Sequence, residues 1–92
     1  MKTLLEAIQK HPDTFIYTLQ SRASTTPSES NKRNHMLLAA YISGQDWEGV
    51  GEILLNPQYR NALDGVVICL NMDYDFTEKN KIVNLFKEKK FV

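Results

Sequence analysis

The segment Asn71 to Asp75, with oxygen-bearing side chains at its alternate positions, is the first place where this chain could hold a metal ion. Carboxylate and amide oxygens at alternate positions are the ligands of calcium-binding loops. Such a loop also needs glycine at its sixth position and glutamate at its twelfth, but Phe76 and Ile82 stand there. A turn with helix-capping residues therefore explains the run better than a calcium site.

The two histidines and the single cysteine predict no other reactive site. His11 and His35 are far apart and have no cysteine companions, so a zinc site is not expected. No nucleophile elbow or phosphate-binding glycine loop is present. Cys69 lies in an apolar run, where we expect a buried, inert thiol, because a reactive thiolate needs exposure and nearby positive charge. We expect no catalytic residue, metal or cofactor. A small enzyme without a recognisable motif, with His35 or an acidic residue in a polar pocket, stays an alternative.

Ala40, Gly44 and Val50 have the spacing of a DNA-binding helix-turn-helix, in which small residues let two helices cross closely. The second helix, however, would carry Glu48 and Glu52 toward the phosphates, and acidic side chains repel the DNA backbone. Nucleic acid is therefore an unfavoured partner. A nucleic-acid-binding regulator with a degenerate helix-turn-helix remains the second alternative, and its basic residues would be Arg22, Lys32, Arg33 and the lysine-rich end.

Composition predicts one folded domain over residues 1–92. The chain is 42% hydrophobic and 24% charged, which is ordinary for a globular protein. Eleven basic residues balance eleven acidic ones, so the surplus of positive charge that a general nucleic-acid binder needs is missing. No run approaches the roughly 20 apolar residues of a membrane span. A lone reduced cysteine suits a cytoplasmic protein.

Hydrophobic spacing and helix caps predict an all-α fold of about five short helices in successive antiparallel hairpins. Thr3 and Asp46 are placed to cap helices, Thr26 begins a third capping sequence, and Asp75 begins the last one. Gly44 is placed to end a helix in the left-handed conformation. The small polar segment 21–26 is the predicted flexible loop. Residues 66–70 are β-branched and suit a strand too, but no second strand-like run exists to pair with them.

The stretch 35–86 contains two similar helical hairpins. Leu37 to Ala40, a glycine turn, and then Val50 to Leu55 form the first hairpin, and the second follows at nearly the same offset with a longer turn. This order of paired helices resembles an ankyrin repeat of about 33 residues, although the usual T-P-L-H helix start is absent. The resemblance implies a protein-binding scaffold. A small irregular helical bundle is the other arrangement that the pattern allows.

The absence of chemical motifs favours a non-catalytic protein–protein interaction module, such as a small adaptor, inhibitor or regulator. Trp47 and Tyr59 are the residues expected to contact a partner, because aromatic side chains dominate interface energies, although Trp47 is also expected in the core. The acidic side chains of Glu48 and Glu52 would steer a charged partner. A second copy of the chain is a further partner, since a short open stack leaves an apolar end uncovered.

Overall fold

The computed structural model describes residues 1–92, which form helices and no β-strand. The elements are α1 Leu4–Lys10, α2 Pro12–Thr25, α3 Glu29–Ser43, α4 Trp47–Leu55, a 3₁₀-helix Pro57–Tyr59, α5 Arg60–Asp73 and α6 Lys79–Lys87. The all-α prediction is confirmed, with six α-helices where about five were expected. Residues 66–70 lie inside α5, so the strand alternative was wrong. No helix is both long enough and apolar enough to cross a membrane.

The helices pack around one core to which every helix contributes. Helix α2 lies against both α3 and α5, α3 packs on α4, and α5 packs on α6. Helix α1 contacts α4 and α6, so it connects the two predicted hairpins. The ankyrin-like relation between those hairpins stays a prediction. The side chains of the main cluster come from all six helices and the C-terminal segment: Leu4, Ala7, Ile8, Phe15, Leu19, Leu38, Ala39, Ile42, Val50, Ile53, Leu54, Leu63, Val66, Leu70, Ile82 and Phe91.

The predicted loop over 21–26 was wrong, because α2 continues to Thr25. Ala23 is buried in this last stretch and holds it to the rest of the protein. The hydroxyl groups of Ser24 and Thr25 donate hydrogen bonds to backbone carbonyls one turn earlier, at 3.1 and 3.3 Å. Small polar residues are compatible with a helix when their hydroxyls bond back in this way. The composition of 21–26 indicated a loop, but packing against the rest of the protein stabilises residues 21–25 as a helix.

Side-chain caps begin α1 and α4 as predicted. Thr3 and Asp46 each accept a hydrogen bond from the backbone N–H three residues on, at 3.1 and 3.0 Å. Helix α3 begins slightly later than expected, with Ser28 as its cap. Thr26, the predicted cap, instead accepts from the N–H of Ser28 at 3.3 Å. The position of the capping sequence was therefore predicted correctly, but the hydroxyl that caps α3 belongs to Ser28, two residues after Thr26.

The predicted cap at Asp75 was wrong, because α6 begins at Lys79 and Glu78 precedes it without a capping hydrogen bond. The carboxylate of Glu78 is used elsewhere: it accepts from Lys10 Nζ and contacts His11 Nε2 at 2.9 Å. These two partners, Lys10 first and His11 second, lower the pKa of Glu78 to about 2. The contacts join the α1–α2 junction to the start of α6.

The turn after α3 places its left-handed residue one position beyond the predicted Gly44. Gly44 has a right-handed conformation with φ −83°, whereas Gln45 has φ 57°. The N–H of Gln45 bonds to the carbonyl of Ile42 at 3.0 Å, and that of Asp46 bonds to Tyr41 at 2.9 Å. This pair of bonds is the Schellman motif, in which the left-handed residue follows the C-cap.

Replacing Gln45 with glycine is expected to raise the free energy of unfolding by about 0.5–1 kcal/mol. A left-handed residue with a Cβ costs roughly 1–2 kcal/mol, which exceeds the roughly 0.5–1 kcal/mol that the extra freedom of glycine costs in the unfolded chain. Urea unfolding of both proteins measures the change. Gln45→Ala is the control and should give no gain, since it keeps the Cβ. A Gln45→Gly protein no more stable than wild type would contradict the prediction.

The C-terminal segment returns to α1 through a second Schellman motif. Two residues after α6, Lys89 has the left-handed conformation, at φ 59°. The N–H groups of Lys89 and Lys90 bond to the carbonyls of Phe86 and Leu85, at 3.0 and 2.9 Å. The chain then places the carbonyls of Lys90 and Phe91 against the N–H groups of Leu4 and Leu5, at 2.8 and 2.9 Å. The first amides of a helix have no partner within it, so the C-terminal segment satisfies two such donors of α1.

Candidate functional site

A cavity of about 420 Å³ lies between α2 and α5, and it is called the α2–α5 groove below. Helix α2 contributes one polar face, while α5 contributes two positions one turn apart and the residue that follows the helix. Its volume falls within the range of sites that bind small ligands or side chains. The lining residues are Tyr17, Thr18, Ser21, Arg22, Thr25, Cys69, Asp73 and Tyr74.

The side chain of Arg22 crosses from α2 onto the surface of α5. Its Nη1 donates a hydrogen bond to Cys69 Sγ at 3.2 Å. Its guanidinium also lies directly over Gly65, where an added Cβ would stand only 2.8 Å from Nη2. A glycine inside a helix costs about 1 kcal/mol relative to alanine. The presence of Gly65 within α5 is explained by the space that it leaves for the guanidinium of Arg22.

The positive charge of Arg22 has no carboxylate partner in this protein. The ion pairs join Glu78 to Lys10 and His11, and Glu88 to Lys90. The thiol of Cys69 is a weak acceptor, and the Nε of Arg22 is buried without any acceptor. Asp73 lines the same groove and forms no ion pair. Its carboxylate therefore lies more than 4 Å from every lysine, arginine and histidine side-chain nitrogen. The groove therefore contains one unpaired cation and one unpaired carboxylate.

An aromatic pair forms one end of the groove. Tyr17 is 65% exposed, and its ring meets that of Tyr74 edge-on, with 6.4 Å between the ring centroids. The hydroxyl of Tyr74 is buried and has no hydrogen-bond partner. Beside the groove, α5 exposes Ile68 and Met72, which lie one turn apart on the same face. Large exposed apolar side chains in one neighbourhood are typical of binding surfaces.

His35 is buried near Arg22 but does not line the groove. Its Nε2 lies 3.2 Å from the carbonyl of Ala62, which can only accept, so Nε2 carries the proton. Nδ1 is then an acceptor, and it is buried without a partner. Burial lowers the pKa of His35, the bond to Ala62 opposes this effect, and the charge of Arg22 adds to it. His35 is therefore a neutral core side chain rather than a group exposed to a substrate.

The four side chains predicted to contact a partner lie outside the α2–α5 groove. Tyr59 and Glu52 line a shallow depression between α3, α4 and the 3₁₀-helix. Trp47 lines a different depression and packs partly against the core, and Glu48 is exposed on α4. The structure thus brings two of the four together. Their contact with a partner stays a prediction.

Cys69 differs from the sequence prediction, because it is half-buried and touches a guanidinium rather than being enclosed among apolar side chains. Ala40 and Gly44, the small residues of the helix-turn-helix spacing, are both exposed. The structure contains no group of three or more His, Cys, Asp or Glu side chains that could hold a metal ion.

The groove was not predicted from the sequence, because Arg22 lies in the segment 21–26 that was expected to be a loop. If α2 is extended to Thr25, then Tyr17, Ser21 and Thr25 recur every fourth residue and predict one polar face. The other available signal was Gly65 in the interior of an apolar helix, four residues before Cys69.

Comparison with protein families, curated proteins and solved structures found no match for this chain. The chemistry of the groove is therefore the basis on which a function is proposed.

Proposed function

We propose that this protein is a non-catalytic protein-interaction module that takes a short segment of a partner protein into the α2–α5 groove. One observation carries the proposal: a single cavity combines the unpaired guanidinium of Arg22 with the exposed ring of Tyr17, which rests against Tyr74. Arginine and tyrosine, together with tryptophan, are the residues most enriched where binding energy is concentrated at interfaces. Tyrosine offers a large rigid contact area at low entropic cost.

The groove lacks the pairings that chemistry on a substrate would need, which favours a binding role over an enzyme. A hydroxyl nucleophile requires a base within hydrogen-bond distance, and a cysteine nucleophile uses a histidine base or a nearby positive charge. The hydroxyls of Thr18 and Thr25 instead donate to backbone carbonyls, at 2.9 and 3.3 Å. The Cys69 thiol has such a charge beside it in Arg22, but no histidine lines the groove to transfer a proton.

A nucleic-acid interface fits the groove less well. Arg22 is its only basic residue, and Asp73 supplies an opposing negative charge. Binding to a phosphate backbone needs several cations acting together. A protein segment requires only local complementarity, which one cation, one carboxylate and an aromatic pair can provide.

Tyr17→Ala is expected to weaken binding of a groove ligand by about tenfold or more, which corresponds to about 1.4 kcal/mol. The ligands are peptides selected by the wild-type protein from a phage-displayed random 12-residue library. Fluorescence polarisation with labelled copies of the selected peptides measures the change. Stability should stay within about 0.5 kcal/mol of wild type, because Tyr17 is largely exposed.

Met36→Ala provides the matched control, since it removes another exposed apolar side chain from α3, outside the groove. It should leave the affinity unchanged. Selection that enriches no peptide would argue against the proposed function. If the Tyr17→Ala protein bound the peptides as tightly as wild type, the peptides would bind outside the groove.

A further inference from the structure

We infer that the α2–α5 groove recognises an extended segment with an acidic and a basic side chain separated by one residue. The acidic carboxylate pairs with Arg22, and the basic group meets Asp73. This inference rests on the proposed function and names the chemistry of its ligand. It is independent of Tyr17, which supplies contact area but no charge.

The guanidinium of Arg22 is held in place before any ligand arrives. Gly65 lets it lie against α5, and the bond from Nη1 to Cys69 Sγ fixes its direction along that helix. The planar fork of an arginine matches the two oxygens of a carboxylate. Because the thiol is a weak acceptor, a carboxylate at this position would replace a poor interaction with a charge-assisted one.

Asp73 determines the second half of the ligand. It lies one helical turn beyond Cys69 on α5, and therefore about 6 Å further along the helix axis. Side chains two residues apart in an extended segment point to the same side and lie about 6.6 Å apart. A carboxylate bound to Nη1 of Arg22, the nitrogen at the level of Cys69, thus brings the second residue after it, or before it, level with Asp73.

A carboxylate fits this site better than a phosphate group. Sites for phosphorylated side chains use clusters of arginines, and Arg22 is the only basic residue that lines the groove. Asp73 lines the same cavity, and Asp13 lies beside Tyr17 and Tyr74 in an adjoining depression. Both carboxylates would repel a phosphate, which carries close to two negative charges at neutral pH.

An array of nine-residue peptides tests the inference with the full chain as the labelled probe. The central three positions are Glu-x-Lys, Lys-x-Glu, Gln-x-Gln or phosphoserine-x-Lys, and the flanking positions are randomised around one tyrosine or leucine. We expect one of the two Glu and Lys orders to bind at least tenfold more tightly than Gln-x-Gln. Tighter binding of the phosphoserine peptides would overturn the assignment of a carboxylate.

Four variants locate the two charges. Arg22→Gln should remove the preference for glutamate, and Asp73→Asn should remove the preference for lysine. Arg33→Gln removes an exposed guanidinium from α3 and should change neither preference. Gly65→Ala keeps the charge of Arg22 but displaces the guanidinium, because its new Cβ would stand 2.8 Å from Nη2. It should therefore weaken the glutamate preference even if Arg22→Gln fails to fold.

The possible failures are distinguishable. Peptides that bind equally well with Glu-x-Lys, Lys-x-Glu and Gln-x-Gln would overturn this inference and leave the proposed function in place. A glutamate preference that survives both Arg22→Gln and Gly65→Ala would also overturn it. Absence of binding to every peptide on the array would overturn the inference and the proposed function together.

Discussion

Replacing Phe91 with alanine is expected to lower the free energy of unfolding by about 3–5 kcal/mol, the usual cost of removing a buried phenylalanine ring. Only 5% of Phe91 is exposed. Its ring meets Phe86 edge-on at 5.9 Å between centroids, and the guanidinium of Arg60 lies 4.2 Å from its centroid. Such aromatic pairs and cation–π contacts each add about 0.5–1 kcal/mol.

The loss should be large because Phe91 fixes a segment that closes the fold. The carbonyls of Lys90 and Phe91 satisfy the first amides of α1, and we expect those bonds to weaken when the ring is removed. A domain of this size has a total stability of about 5–14 kcal/mol, so the substitution removes a substantial part of it. Urea unfolding followed by circular dichroism measures the difference.

Two variants make this expected result specific. Met72→Ala removes a side chain that is 76% exposed and should change stability by less than about 0.5 kcal/mol. Phe91→Leu keeps apolar volume but loses the aromatic contacts, so it should fall between wild type and Phe91→Ala. A loss below about 1 kcal/mol for Phe91→Ala would show that the C-terminal segment does not stabilise α1.

Elements whose signals are local were predictable from the sequence. Helix α4 is the clearest case, because its cap at Asp46 and its buried residues Val50, Ile53 and Leu54 all lie within one short stretch. Hydrophobic spacing and capping act over one or two turns, and both are visible in a linear sequence. The same holds for the start of α1 at Thr3.

Features that depend on contacts between distant residues were not predictable. The groove exists because Arg22 lies over Gly65 and Cys69, more than 40 residues away along the chain. Nothing near Arg22 in the sequence indicates that neighbour, and the polar residues around it resemble a loop. Phe91 is similar, since the guanidinium over its ring belongs to Arg60 of α5 and its carbonyl accepts from Leu5 of α1.

Acidification below about pH 6.5 is expected to destabilise the protein through His35. Burial holds the pKa of this imidazole below its ordinary value of 6.5. In the unfolded chain the imidazole regains its ordinary pKa, so the unfolded state binds more protons than the folded state as the pH falls. The stabilising contribution is therefore complete above pH 6.5 and is lost progressively below it, with a slope of up to about 1.4 kcal/mol per pH unit.

Protonation of His35 is costly for two structural reasons. The second proton would go to Nδ1, which is buried and has no acceptor. The resulting charge would also face the guanidinium of Arg22. Glu78 does not contribute to the change in stability over this pH range. The pKa of Glu78 is about 2 in the folded protein and 4.5 ordinarily, so its effect on stability falls at lower pH.

Urea unfolding of wild type and His35→Gln at pH 7.5, 6.5, 5.5 and 5.0 tests this expectation. Glutamine can still donate to the carbonyl of Ala62 but does not titrate, so its stability should change little over this range. His11→Gln removes the other imidazole of the chain, which contacts the carboxylate of Glu78, and should retain the fall in stability. If His35→Gln lost stability as steeply as wild type, the acid sensitivity would belong to another group. A flat profile in wild type would mean that His35 is no harder to protonate in the folded protein than in the unfolded chain.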